Sequence, residues 1–286
     1  MKILPIEDAS APSATTGAVF TASIGTKEAV KQGNFLDSIY MGLYGAVSTA
    51  AVVIETFAGL VSEFVVRSGD KTVIQLAYDE CVALSCWFYN KLPRLWENTD
   101  NTGADFIFGV RIPIQQEVSD SKRIYYAATR AAQTNIGTEA LTMSGKWLAN
   151  KPDRKGISAV RIPYTTAAAT GFSMMGVTLP PIGKLIGIIV KQTAEFADGD
   201  NSLSIQRLRV FENGEMTNEL NVAADTPVAP FITDGTLSPA TDLLKDFHSF
   251  DFREEPIDLS QSRVELAVET QDASDAVVII PIIELA

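Results

Sequence analysis

The chain has 286 residues, of which 46% are hydrophobic and 20% are charged, and its mean hydropathy is +0.12. This composition can fill one large core or two cores of about 140 residues each, and it excludes a disordered or fibrous protein. The 35 acidic residues outnumber the 23 basic ones, which gives a net charge of −12. A chain this acidic, with no basic run, is not expected to bind a nucleic-acid backbone directly.

Three stretches resemble targeting or membrane segments. At the N-terminus, Pro5 interrupts an apolar patch that Glu7 and Asp8 then end, so the patch is too short for a secretory signal. The uncharged stretch 38–54 is rich in Gly, Ser and Thr, and the stretch 171–190 has two prolines and a lysine at its middle. Because a membrane-spanning helix needs about 20 predominantly apolar residues, neither stretch is predicted to span a membrane.

Helix is the minority in the pattern. The strongest candidate is 78–92, which has acidic residues, beginning with Asp79, in its first turn and is followed by Pro93. Acidic side chains suit the positive end of the helix dipole, and a proline stops a helix. A second, short helix is predicted at 239–247, where Pro239 suits the first turn.

Most of the chain is predicted to be β-strand. Residues 159–164 and 264–269 alternate between apolar and polar side chains, which is typical of half-buried strands. The runs 187–190 and 276–280 are short and β-branched, as fully buried strands are. The apolar faces predicted for the two alternating strands consist of Val160, Ile162 and Tyr164, and of Val264, Leu266 and Val268.

A tight hairpin is predicted around Asn213 and Gly214. These two residues separate the candidate strands 208–212 and 215–216, and both tolerate the positive φ of a two-residue turn.

A set of features occurs twice in the chain. A Gly-led apolar strand, a Gly-Asp turn and a strand carrying Ile-Gln occur at 57–76 and again at 183–206. Each half also closes on two strands, at 124–148 and at 264–285. Shared turn chemistry can produce such matches by chance, but the same order of three features favours an internal duplication. The polar segment 151–156 is then the linker between the copies.

The rare reactive residues limit the possible chemistry. A Ser-His-Asp site would need the one histidine, His248, and no G-x-S-x-G sequence surrounds any serine. Cys81 and Cys86 are five positions apart on the predicted helix, so they are predicted to be buried, unpaired thiols. A hydrolytic enzyme remains an alternative only if substitution of His248 or Glu255 abolishes a measured turnover.

Other candidate sites are also weak. Gly145-Lys146 and Gly183-Lys184 lack the Ser or Thr that completes a phosphate-binding loop. The acidic loop at Asp198-Asp200 offers oxygen atoms that suit Ca²⁺, yet this sequence is equally typical of a solvated turn, as is the loop 98–105. The pair Glu254-Glu255 has the residue types of a glycosidase, but adjacent acids on a strand face opposite sides. The sequence therefore predicts no catalytic, cofactor-binding or metal-binding residues.

Four stretches carry a resemblance to a known family. Leu36–Leu43 and Ile157–Pro163 look like the opening strands of two jelly rolls. Val177–Ile188 looks like the Leu-Pro, Gly and Ile-x-Gly-Ile stretch that follows the opening of the second roll, and Ile74–Leu76 before the helix looks like a strand-then-helix of the first. Together they resemble the double jelly-roll major capsid proteins of tailless, membrane-containing icosahedral viruses of bacteria and archaea.

The resemblance implies an all-β fold of two tandem eight-stranded jelly-roll β-sandwiches, with short helices in the connecting loops. The expected domains are an N-terminal arm at 1–34, a first roll at 35–150, a linker at 151–156 and a second roll at 157–286. The Ala- and Thr-rich part of the arm, Ala9–Ser23, suits a segment that orders only against its neighbours.

The resemblance also implies a function in virion structure rather than in catalysis. Three chains would form a pseudo-hexameric trimer that tiles an icosahedral shell. The implied partners are neighbouring capsomers, minor capsid or penton proteins, and an internal membrane reached through the arm. The implied location is the virion, after assembly in the host cytoplasm. Because a jelly roll hosts several functions, a β-sandwich module that binds carbohydrate or another surface ligand remains the alternative.

Overall fold

The structure is a computed structural model, and it divides into two compact units. One unit contains residues 1–158 and 234–244, and the other contains residues 159–233 and 245–286. The structure describes residues 2–5, 19–24, 35–47, 59–90, 94–97, 105–119, 123–131, 136–148, 155–165, 171–192, 205–221, 244, 247–270 and 276–285.

The first unit consists of two antiparallel sheets and one described helix. One sheet has the strand order β1-β9-β3-β7-β6, and the other has the order β2-β8-β4-β5. The elements are β1 Lys2–Pro5, β2 Val19–Ile24, β3 Phe35–Val47, β4 Val61–Ser68, β5 Lys71–Leu76, α1 Tyr78–Tyr89, β6 Arg94–Glu97, β7 Asp105–Glu117, β8 Ile124–Arg130 and β9 Ile136–Leu148.

The second unit also contains two antiparallel sheets. One has the order β16-β13-β19, with β11 paired to β19 and β17 paired to β13, and the other has the order β12-β18-β14-β15. The elements are β11 Ile162–Thr165, β12 Gly171–Thr178, β13 Lys184–Gln192, β14 Ile205–Glu212, β15 Glu215–Asn221, β16 Phe247–Asp251, β17 Ile257–Asp258, β18 Val264–Thr270 and β19 Ala276–Glu284. A further strand, β10 Ile157–Val160, crosses the boundary between the units.

Helix α1 begins where it was predicted to begin. The Glu80 carboxylate accepts the Ala77 N–H at 2.8 Å, which satisfies a donor at the N-terminus of the helix. The helix ends at Asn90, which has a φ of 52° in the left-handed region, so it stops three residues before Pro93. Most of its residues are buried, and it packs against β7 and β4.

The second unit confirms the strongest strand predictions. Val264, Leu266 and Val268 of β18 are buried, and β13 and β19 are buried along nearly their whole length. The hairpin is confirmed between β14 and β15, where Asn213 and Gly214 have φ values of 54° and 87°. The core of this unit is apolar and consists of Leu179, Leu185, Ile188, Val190, Ile205, Leu208, Val210, Phe250, Ile257, Leu259, Val264, Leu266, Val268, Val277, Ile279 and Ile283.

The single strand predicted at 159–164 is wrong. The structure contains β10 and β11 instead, with Arg161 between them. Ile157 and Ala159 are the buried residues of β10, whereas Ile162 and Tyr164 pack against the core in β11. Successive side chains of a strand point to opposite faces. The residues that face the core are therefore the odd-numbered ones in β10 and the even-numbered ones in β11.

Two parts of the predicted arm form strands within the first unit. β1 pairs with β9, with Lys2 opposite Trp147, and β2 pairs with β8, with Val19 opposite Thr129. The segment 9–23, which was predicted to order only against neighbouring molecules, overlaps β2 at residues 19–23. For these residues the prediction is wrong, because their backbone groups find partners in their own chain. The rest of 1–34 lies outside the described residues.

The predicted helix at 239–247 is largely outside the described residues. Leu244 is helical, but Phe247 is the first residue of β16 and not the end of a helix. The predicted linker at 151–156 is described only for its last two residues.

Candidate functional site

A charged cluster lies in the first unit at a bulge of its central strand. Asp37 falls where the pairing of β3 shifts register against both β7 and β9, between Leu36 and Ser38. A bulge adds one residue to a strand and redirects its side chain. Asp37 is 2% exposed, so its carboxylate requires partners close by.

Two cations from the flanking strands supply these partners. Arg111 Nη2 of β7 lies 2.7 Å from Asp37 Oδ2, and Lys146 Nζ of β9 lies 3.2 Å from the same oxygen. Arg111 Nε also donates to Ser38 Oγ at 3.0 Å. The cluster therefore connects three adjacent strands through their side chains as well as through their backbones.

Aromatic side chains complete the cluster. The Arg111 guanidinium lies 3.9 Å from the ring centroid of Tyr89, at the end of α1, and 5.7 Å from that of Tyr40 on β3. A cation over an aromatic face is attracted by the ring electrons. Arg111 thus joins the helix to the sheet.

The electrostatics of the cluster favour an ionised Asp37. Burial alone would raise the pKa of its carboxyl, but hydrogen bonds from Arg111 and Lys146, together with their positive charges, lower the pKa below its ordinary value of 3.8. Burial raises the pKa of Tyr89, so its phenol stays neutral. An acid held ionised between two cations is suited to fixing structure and not to proton transfer.

The second unit has a group of ion pairs on the outer face of a sheet. Arg209 Nε lies 2.7 Å from Glu219 Oε2 across the hairpin, and Arg207 lies 3.5 Å from Glu269 of β18. These side chains alternate with the core residues of the same strands and are at least a fifth exposed. Exposed pairs of this kind contribute little to stability, although they keep a sheet face polar.

The rare reactive residues are buried. Cys81 and Cys86 are free thiols in α1, as predicted. Burial, with the nearby Glu80 and Asp79 charges, raises the pKa of Cys81, and burial raises that of Cys86 to about 12. Such thiols are poor nucleophiles because they do not ionise near neutral pH. His248 is 7% exposed on β16.

The other candidates from the sequence are dispersed. Glu254 and Glu255 are exposed in the bend after β16, not on a strand as the sequence analysis assumed. Gly183 lies in the turn before β13 with a φ of +80°, while Lys146 is part of the Asp37 cluster. The acidic loop at Asp198-Asp200 and residues 98–104 lie outside the described residues.

A carbohydrate-binding platform is not apparent in the described part of the chain. The exposed aromatic side chains there are Tyr44, at 46%, and Tyr125, at 42%. Tyr44 lies on β3 and Tyr125 on β8, so they belong to different sheets. Trp87 is 2% exposed in α1, in agreement with a helix that packs on a sheet.

Among the described residues, no group of three or more His, Cys, Asp or Glu is placed to hold a metal ion. No helix in the ranges that the structure describes is long and apolar enough to cross a membrane. The Asp37 cluster was not found by sequence reasoning. The available signal was an acidic residue inside the apolar run that begins at Phe35, where a buried charge needs a partner.

Known structures match the chain over nearly its whole length. The crystal structure of the major capsid protein of Sulfolobus turreted icosahedral virus matches with a TM-score of 0.72 at 14% identity, covering 98% of this chain and 96% of that one. The fold is a double jelly roll. Two further capsid proteins share it, and in both the match extends over almost the full length of each chain.

The major capsid protein P2 of bacteriophage PM2 matches with a TM-score of 0.59 at 9% identity, over 100% of this chain and 97% of that one. VP54 of the virus PBCV-1 matches with a TM-score of 0.61 at 11% identity, over 98% and 92%. No known family profile matches the sequence, and no curated protein matches it. At these identities the likeness establishes the fold, and the function is inferred below.

Proposed function

We propose that the protein is the major capsid protein of an icosahedral virus. The observation that carries the proposal is a double jelly-roll fold that matches viral capsid proteins from end to end. The side chains agree with a structural role. The ionised groups of the first unit are used to join strands and a helix, and the thiols and the histidine are buried.

The two units are proposed to be the two jelly rolls of one brick, so that three chains supply six rolls to a pseudo-hexameric capsomer. Light scattering after size-exclusion chromatography tests this arrangement. The expected species is a trimer of about 93 kDa, three times the 30.9 kDa of one chain. A monomer at the highest concentrations tested would contradict it.

The proposed partners are further copies of the capsomer, minor capsid or penton proteins, and an internal membrane. The proposed location is the virion, with assembly in the host cytoplasm. Fractionation of infected cells and mass spectrometry of purified particles test these statements together. The chain is expected as the most abundant particle protein, and its absence from particles would contradict the proposal.

A tethering role of the N-terminal segment can be tested without damage to the sheets. Deletion of residues 1–24 would remove β1 and β2 and leave β9 and β8 with new edges. Replacement of residues 6–18 by a Gly/Ser segment of equal length keeps both strands. We expect this variant to form trimers but to assemble shells poorly, and normal shell assembly would refute tethering.

A further inference from the structure

We propose that β16 is an acid-released edge strand, and that protonation of His248 detaches it from β13 and loosens the second unit. This inference rests on the burial and pairing of β16 and does not depend on the proposed capsid function.

The position of His248 makes a positive charge unfavourable. It is the one histidine of the chain, its residue is 7% exposed, and its Nε2 is buried with no hydrogen-bond partner among the described residues. A buried imidazole whose Nε2 has no acceptor is best accommodated as the neutral form, because an imidazolium must donate from both nitrogens.

The strand that carries His248 is held on one side. Among the described strands β16 pairs with β13 alone, from Lys191 opposite Phe247 to Gly187 opposite Asp251, with His248 opposite Val190. A terminal strand of five residues can leave its sheet without breaking a second ladder. Local opening of this kind requires less free energy than global unfolding.

The sheet face that contains His248 is apolar. His248 alternates along β16 with Phe247 and Ser249, so it shares a face with Phe250, and it lies opposite Val190 of β13. Phe250 and Val190 belong to the apolar core of the second unit. Lys191 lies on the opposite face, where its Nζ is 5.5 Å from the Phe247 ring centroid.

The described charged groups of the neighbouring elements face elsewhere or have partners. Asp251 ends β16 and is paired with Arg253. On β18, Glu265 and Glu269 alternate with the core residues. Of the remaining acids, Glu212 at the end of β14 accepts from Ser262, Asp258 of β17 accepts from Ser260, and Glu284 at the end of β19 lies opposite Lys184. Glu254 and Glu255 are exposed in the bend after β16. In the described part of the chain, therefore, no carboxylate is placed to stabilise a protonated His248.

The direction of the pH dependence follows from this environment. Burial lowers the pKa of His248 from its ordinary 6.5 to about 4. Well above pH 6.5 the imidazole is neutral whether β16 is docked or released, so pH has no effect through this group. Between pH 6.5 and pH 4 the released strand takes up a proton that the docked strand does not, so the equilibrium shifts towards release and approaches a limit of about 300-fold below pH 4.

Hydrogen exchange of the full-length protein tests the proposal. After correction for intrinsic exchange rates, we expect the protection of the β16 amides to fall about 25-fold between pH 7 and pH 5. The amides of β18 serve as the internal reference, since that strand is paired on both sides. The same samples report the His248 titration directly by NMR, because a single histidine gives one imidazole signal.

His248→Gln removes the titration and keeps a polar side chain, and His248→Leu is the second variant if the first does not fold. In either variant, the β16 protection is expected to be the same at pH 7 and pH 5. The proposal is overturned if wild-type His248 titrates near pH 6.5. It is equally overturned if the variants lose β16 protection on acidification as the wild type does.

Discussion

The two units have the same order of strand pairing around their centres and differ at the edges of their sheets. β2-β8-β4 in the first unit corresponds to β11-β19-β13 in the second, and β3-β7-β6 corresponds to β12-β18-β14. The open side of β4 is covered by the next strand along the chain, β5. The open side of β13 is covered by β16, which comes after β14 and β15. The strands that cover these two positions therefore come from different places along the chain.

The units also differ in how they use charge. The first unit contains an ionised Asp37 at a bulge of its central strand, held by cations from both sides. The second has an apolar core, and its described ion pairs, such as that of Arg209 with Glu219, are exposed. The two units therefore differ in where their described ion pairs lie, buried in one and exposed in the other, and the following variants test this contrast.

The largest effect is expected from cavities at core positions of the corresponding strands β7 and β18. Ile112 on β7 and Leu266 on β18 are each fully buried, and each substitution by alanine is expected to cost about 2–5 kcal/mol of unfolding free energy. Urea unfolding measures both. All three tryptophans belong to the first unit, so fluorescence follows that unit while circular dichroism follows both. A loss below about 1 kcal/mol at either site would contradict the assigned cores.

Asp37→Asn is expected to cost somewhat less, about 2–3 kcal/mol at pH 7, because it leaves two cations without their anion. A cost at the lower end of the range for a broken buried ion pair is expected, because the Arg111 side chain is 28% exposed and solvent screens its charge. The pKa of Asp37 is lowered in the folded state, so its contribution is present above pH 3.8 and is lost as the pH falls through the folded pKa. Unfolding measured from pH 7 to pH 2 should show this acid loss in the wild type and a smaller loss in the variant.

Two glycines with positive φ provide a matched pair within the second unit. An alanine Cβ at Gly183 would lie 2.2 Å from the Glu284 carbonyl oxygen, whereas at Gly214 it would meet nothing within 4 Å. Both substitutions incur the left-handed strain of about 1 kcal/mol, and Gly183→Ala adds the clash, for a total of about 2 kcal/mol or more. Equal shifts of the urea midpoint would show that the turn before β13 is not as close to β19 as the structure has it.

The smallest effect is expected on the outer face of the second unit. Glu219→Gln removes the partner of Arg209, and exposed pairs are worth about 0.5 kcal/mol or less. Urea unfolding at low and high salt measures the loss of unfolding free energy for Glu219→Gln and for Asp37→Asn under the same conditions. A cost at Glu219 as large as that at Asp37 would remove the distinction between the buried and the exposed charges.

The elements that the sequence predicted well are those set by local pattern. β13 and β19 are continuous apolar runs, β18 alternates with a period of two, and Asn213-Gly214 tolerates the backbone of a tight turn. These signals involve residues close in the chain, so they can be recognised without knowing the pairing of the strands.

What the sequence could not predict depends on contacts between distant residues. The sequence repeat matched β4 with β13, and these strands have corresponding places in their sheets. It also matched β5 with β14, but β5 lies in the same sheet as β4, whereas β14 lies in a different sheet from β13. The Asp37 cluster joins residues 74 and 109 positions apart, and the bulge that orients Asp37 exists only through the register of three strands. No local pattern carries that information.

Cryo-electron microscopy of the assemblies formed by the full-length protein tests the proposed function as a major capsid protein. From the proposed function we expect blocks of three chains in which each chain contributes two jelly rolls, and we expect these blocks to pack into closed shells. Particles in which each chain forms one undivided barrel, or a protein that stays monomeric under all assembly conditions, would contradict it.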